Sequence, residues 1–146
     1  MPDHEAVQRI IGEFGQTTGI DDLSLDDGGY CCLVIDQDLV INVEFDEAGQ
    51  RLLLYSAVGR PDADRLPLLM EANYLGQGTD GGTLGLQPGT GLLVLSREVP
   101  VVQLDVPVFH AALERFVNAA ETWTGRLREA AAPVVLDIPP QGGIRA

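Results

Sequence analysis

The chain has 146 residues, with nine arginines and no lysine set against 22 acidic residues, for a formal net charge of -13. That length suits one domain with a real core, and an apolar fraction of 45% argues against wholesale disorder. The charge disfavours nucleic-acid binding, which needs clustered cations to displace counterions, and no apolar run approaches the ~18 residues of a membrane span.

The first residues, Met1-Pro2-Asp3-His4-Glu5, are acidic and lack an apolar h-region, so the expected location is the cytoplasm. Asp3 reads as an N-cap, and Val7, Ile10, Ile11 and Phe14 fall at the i, i+3, i+4, i+7 spacing of one helical face. This predicts a first helix that Gly19 ends. After an acidic, turn-like stretch come three apolar segments, Tyr30 to Ile35, Leu39 to Phe45 and Leu52 to Val58. Connections of hairpin length, rich in turn formers, make them an antiparallel meander.

The middle strand alternates cleanly: Leu39, Ile41, Val43 and Phe45 lie on one side, Asn42, Glu44 and Asp46 on the other. Its neighbours do not. Cys31, Leu33 and Ile35 oppose Cys32 and Val34, and Leu52 and Leu54 oppose Leu53 and Tyr55, so parts of the second sheet face call for cover from elsewhere. The adjacent Cys31 and Cys32 point to opposite faces of a strand, with no further cysteine for a metal cage, and are expected as buried structural thiols.

Pro61-Asp62-Ala63-Asp64 turns the chain into a second helix, with Asp64 as its cap, Pro67 in its first turn and Gly76 as its stop. Its stripe is Leu66, Leu69, Met70 and Asn73, and the strands that follow, Thr83 to Leu86 and Gly91 to Glu98, are too brief to cover it. The expected cover is a second copy of the chain. Asp105 caps a long last helix whose Phe109, Leu113, Phe116, Val117, Ala120, Thr124 and Leu127 hold one face, with Trp123 at the edge of that stripe. The domain is expected to span 1–132. Residues 133–146 read as a Pro/Gly-rich, non-helical tail, a candidate to lie extended on an apolar groove.

Chemistry is scarce. Gly76-x-Gly78-x-x-Gly81 has the letters of a dinucleotide fingerprint but stands between a helix and a strand, the reverse of the order that presents helix amides to a pyrophosphate. His110 and Glu114 lie four apart on the last helix with no partner histidine nearby, and Asp36, Asp38, Asp62 and Asp64 complete no calcium loop. No cofactor, metal or catalytic residue is expected, and protein binding is the better reading.

Three stretches together resemble a known family: Leu68-Leu69-Met70-Glu71-Ala72-Asn73-Tyr74-Leu75, then Gly81-Gly82-Thr83-Leu84-Gly85-Leu86, then Gly91 through Pro100, with Phe116 to Trp123 closing the pattern. Their joint order, helix, three strands, helix, two strands, helix, is similar to that of the Tir-chaperone (CesT-type) family, the class I chaperones of type III secretion. The resemblance implies an α+β fold and a homodimer that holds the N-terminal chaperone-binding segment of a secreted effector extended and export-competent, without ATP or metal. It makes Leu66, Leu69, Met70, Asn73 and Tyr74 the dimer-interface candidates, and Ile11, Phe14, Cys32, Val34, Leu53 and Tyr55 the effector-binding candidates. The alternative is an adaptor of related fold that binds a folded regulatory or secretion-apparatus protein.

Overall fold

A computed structural model describes the backbone of residues 1–136 and the side chains as far as Glu129. Helix α1 (His4–Thr18) opens on Asp3, whose carboxylate accepts the Ala6 N–H at 2.9 Å, and closes on Gly19 in the left-handed region at φ 79°. The meander follows as β1 (Tyr30–Ile35), β2 (Leu39–Asp46) and β3 (Arg51–Gly59), and then come α2 (Leu66–Ala72), β4 (Thr83–Leu86), β5 (Leu93–Pro100) and α3 (Val106–Leu136). All strands pair antiparallel in one sheet of order β1-β2-β3-β5-β4, so β1 and β4 are its edges.

One sheet face is the floor of the core. Ile41, Val43, Leu52, Leu54 and Leu95 are buried there beneath α3, which packs mainly across β3, while α1 lies against α3. Phe14 of α1 meets Phe109 of α3 edge-on, ring centroids 5.0 Å apart, a geometry aromatic pairs favour. Burial alternates along β1 and β3 as it does along β2, although their sequences are apolar on both sides. What the sequence does not supply, the helices do: they cover one face and leave the other.

Four local expectations are corrected. Asp64 is not a cap: it lies inside a 3₁₀ turn, Ala63–Arg65, that leads into α2, and no side chain caps that helix. The α2 helix stops at Ala72, before Gly76, and a second 3₁₀ turn, Tyr74–Gly76, follows with Leu75 at φ 51°. Trp123 is not at the margin of the α3 stripe but inside the core, its indole N–H donating to the Gly78 carbonyl at 3.1 Å. Finally, α3 runs past Pro133 to Leu136, because a proline forfeits its own N–H bond and strains the preceding turn without obliging a helix to stop. The remainder of the expected tail, 137–146, lies outside the described residues.

The glycine-rich loop is a steric device. A Cβ on Gly78 would stand 2.8 Å from the Cα and 2.9 Å from the carbonyl oxygen of Ala72, closer than real side chains approach backbone, so the loop folds back on the end of α2 only because this residue has none. Asp80 in the same loop is held by the Arg115 guanidinium at 2.8 and 3.2 Å. Those hydrogen bonds hold its carboxyl below the usual carboxylate range.

Candidate protein-binding surfaces

Two surfaces of the described residues are apolar and open. The first is the ridge formed by α2 and the turn after it. Leu68, Met70, Tyr74 and Leu75 are 50%, 74%, 64% and 80% exposed, and Leu66 stands beside them. A single short segment that presents so many large apolar side chains to water is unusual on a free surface. Of the five residues expected there, Leu66, Met70 and Tyr74 point outward. Leu69 is buried within the protomer, and the Asn73 side chain is consumed by β4, its amide donating to the Leu84 carbonyl at 2.8 Å and its oxygen accepting the Leu84 N–H at 2.7 Å. A two-turn helix has inner and outer faces only a residue apart, so a four-letter stripe does not separate them. Leu68 and Leu75, absent from the sequence-based set, belong to the exposed ridge.

The second surface is the sheet face turned away from the helices. Cys32 and Val34 are exposed on it, and Leu53 and Tyr55 are half-buried. Ile11 and Phe14, grouped with these four by sequence, are instead fully enclosed beneath α3. A helix whose stripe packs on its own core has the same apolar spacing as one that awaits a partner. Cys32 also departs from the expected pair of buried thiols: Cys31 alone is buried, and burial first, then the neighbouring Cys32 and Asp26, pushes its thiol up to about 11.

Across the middle of this face runs a hydrogen-bonded chain. The Tyr30 hydroxyl donates to Asn42 Oδ1 at 2.6 Å, the Asn42 amide donates to the Tyr55 carbonyl at 3.1 Å, and the Tyr55 hydroxyl donates to Glu44 Oε1 at 2.7 Å. Burial first, and then the bond to Glu44, raises the Tyr55 phenol well above its ordinary value, so it stays a donor at any physiological pH. At the margin, Arg51 bridges Asp46 and Glu98. These are positioning contacts, and they leave the valines and Cys32 as the apolar part of the face.

The open edge of β1 adjoins it. Phe45 N–H donates to the Gly29 carbonyl at 2.7 Å, and the register pairs Cys31 with Val43 and Leu33 with Ile41. In an antiparallel ladder those are the hydrogen-bonded pairs, so the main-chain groups of Cys32 and Val34 point away from β2. Tyr30 would do the same, but its carbonyl accepts the Asp26 N–H at 2.8 Å and its N–H donates to the Asp26 carboxylate at 3.0 Å. Among the described residues no segment pairs with Cys32 or Val34.

Elsewhere the described residues bring few reactive groups together. His110 is exposed and rests edge-on against Phe14, and among the described residues no three potential metal ligands converge. None of the helices described is long and apolar enough to cross a membrane.

The family model for the Tir chaperone protein (CesT) family matches residues 9–124. No curated protein matches the chain. Among solved structures, a chain of the ExsC–ExsE complex superposes with a TM-score of 0.76 at 24% identity, covering 87% of this chain and 97% of that one. A chain of the HopA1–SchA chaperone–effector complex gives 0.70 at 24% identity, with 84% and 93% covered. A chain of the complex between the Yersinia pestis type III secretion chaperone SycH and a stable fragment of YscM2 gives 0.64 at 15% identity, with 80% and 98% covered. At these identities the likeness is one of fold, and it agrees with the family match over most of the chain. The chain belongs to the Tir chaperone (CesT) family of type III secretion chaperones.

Proposed function

We propose that this protein is a homodimeric chaperone of the bacterial cytoplasm that holds the N-terminal segment of a type III secreted effector in extended form, keeping it stable and ready for export. The observation that carries this reading is the exposed ridge of Leu68, Met70, Tyr74 and Leu75 beside an open sheet face and edge. A two-fold pairing buries one self-complementary stripe on both copies, so a ridge too apolar for water becomes the seam. The client then meets surfaces that need no catalysis. Main-chain groups at Cys32 and Val34 offer hydrogen bonds to an added strand, and alternate side chains of that strand meet the apolar face. The solved complex of HopA1 with SchA, described as chaperone with effector, supports the reading by analogy of fold.

The dimer seam in this reading comprises Leu66, Leu68, Met70, Tyr74 and Leu75. The client surface comprises Cys32, Val34, Leu53 and Tyr55. Co-expression with the N-terminal segments of secreted proteins, followed by light scattering on the purified complex, tests it: two copies of the chain with one segment are expected. A complex of one copy with a folded regulatory or apparatus protein favours the adaptor alternative instead.

A further inference from the structure

The strand registers align five small or β-branched residues in one row across the open face. Val34 of β1 pairs with Val40 of β2, the register set by Asn42 and Tyr55 continues that row to Ala57 of β3, Ala57 pairs with Val94 of β5, and Val94 with Gly85 of β4. With strands ~4.8 Å apart, the row is a lane about 19 Å long. It is apolar from one sheet edge to the other. Val34 and Val40 are exposed, and at the β4 end the lane opens into a recess of ≈300 Å³ beside Tyr55, Leu86 and Ser96. Gly85 leaves this end of the lane open: a Cβ built there meets nothing within 4 Å.

The flanks of the lane carry carboxylates on both sides, joined on the side of the β1–β2 turn by Arg60 and Arg128. Asp36 and Asp38 stand at the β1–β2 turn on one side, Glu44 and Glu98 beyond the Asn42–Tyr55 row on the other. Arg51 engages Glu98, and Arg128 approaches Asp38 only at 3.5 Å between well-exposed groups. Asp36 and Glu44 enter no ion pair among the described residues. With a formal charge of -13 behind it, the face attracts cations and repels acidic chains.

We propose that the lane seats an extended, positively charged stretch of a client polypeptide that runs across the strands, distinct from the stretch that pairs beside β1. An extended chain repeats every second residue at ~6.6 Å, so the lane holds about three alternate side chains. Two small or β-branched ones lie over Val34–Val40 and Ala57, and a larger one fills the recess at Gly85, while flanking basic residues meet the acidic margins. This rests on the chaperone reading and gives it a client chemistry: apolar residues at i, i+2 and i+4, the last of them bulky, between cations.

The probe is a fluorescent peptide, Arg-Val-Ser-Val-Ser-Leu-Arg, measured by anisotropy against versions with both arginines replaced by glutamate or the leucine by alanine. The cationic leucine peptide is expected to bind, with affinity falling as salt rises, and the acidic one not to bind. Gly85→Val sets a branched side chain in the recess, where a Cβ meets nothing within 4 Å, and should leave the melting temperature unchanged or raised. It should weaken the leucine peptide about tenfold and the alanine peptide hardly at all. Ala57→Arg, which sets a bulky cation in the apolar lane against a cationic peptide, should abolish both. No binding of the cationic peptide, equal binding of the acidic one, or indifference to both variants overturns the lane, as does a change of oligomeric state in Gly85→Val, which would give the recess to a second copy. If an effector's N-terminal segment is still captured by Ala57→Arg and Gly85→Val, the chaperone reading stands and the lane alone falls. If no secreted protein's segment is captured by the unaltered chain, the chaperone reading falls.

Discussion

Replacing Met70 with aspartate separates the seam from the fold. Met70 is 74% exposed, so it contributes little to the protomer's own core and its loss there is tolerated. In the proposed symmetric pair it is buried twice. Complete burial of such a side chain is worth about 1.5–3 kcal/mol, which leaves roughly 1–2 kcal/mol per copy still to be gained at the seam and about 2–4 kcal/mol per dimer. At 1.4 kcal/mol per decade, losing that contact raises the dimer dissociation constant roughly 30- to 1,000-fold, before the desolvation of two carboxylates is added. Sedimentation velocity at micromolar concentration should therefore find a monomer with native circular dichroism. Leu69→Asp is the contrast: Leu69 is 5% exposed within the protomer, so a charge there should unfold the chain outright. A Met70→Asp protein that remains a dimer of unchanged affinity would remove the α2 ridge from the interface and refute the reasoning.

Three further outcomes follow from named contacts. Iodoacetamide at pH 8 should modify one thiol per chain, Cys32, because Cys31 is buried and its thiol is pushed up to about 11; peptide mapping that finds both modified at equal rates would contradict this. Gly78→Ala forces a methyl to 2.8 Å from the Ala72 Cα and should cost ~1–3 kcal/mol in chemical denaturation, with no loss meaning the loop has room to shift. Asp80 has its pKa lowered by the Arg115 bonds, so the folded state binds its proton less readily than the unfolded one. The stability this gives is present above the unfolded value of ~3.9 and is lost as pH falls through the folded value. Both groups are about half exposed, so the effect is small. Arg115→Gln should raise the midpoint of acid unfolding slightly and leave stability at pH 7 nearly unchanged, and an unshifted acid midpoint would show the pair contributes nothing.

The parts of the fold that were legible in the sequence are those fixed by local rules. Asp3 and Asp105 cap the helices they precede, Val108 N–H meeting Asp105 Oδ1 at 2.8 Å, because a carboxylate before an apolar-periodic run satisfies amides that nothing else reaches. The meander was legible from its hairpin-length connections. Facing was harder to read. Ile11 and Phe14 on α1 look the same whether a stripe meets its own α3 or a foreign chain, and only the tertiary arrangement, with Phe109 over Phe14, decides. Leu75 joins the exposed ridge where α2 has ended and the chain kinks at φ 51°, beside the close approach of Gly78 to Ala72 that no periodicity announces. Cys32 is exposed because both helices lie on the other side of the sheet, which the mixed apolar letters of β1 do not specify.

In the proposed mode the chain holds its client extended rather than folded. A heteronuclear correlation spectrum of an isotope-labelled effector N-terminal segment, bound to the unlabelled chain, tests it most directly. The account predicts β-like or extended secondary shifts for the bound stretch, perturbed by changes at Val34, Ala57 and Gly85, and the dispersion of no independent domain. A bound segment with the spectrum of its own folded globular core would contradict it.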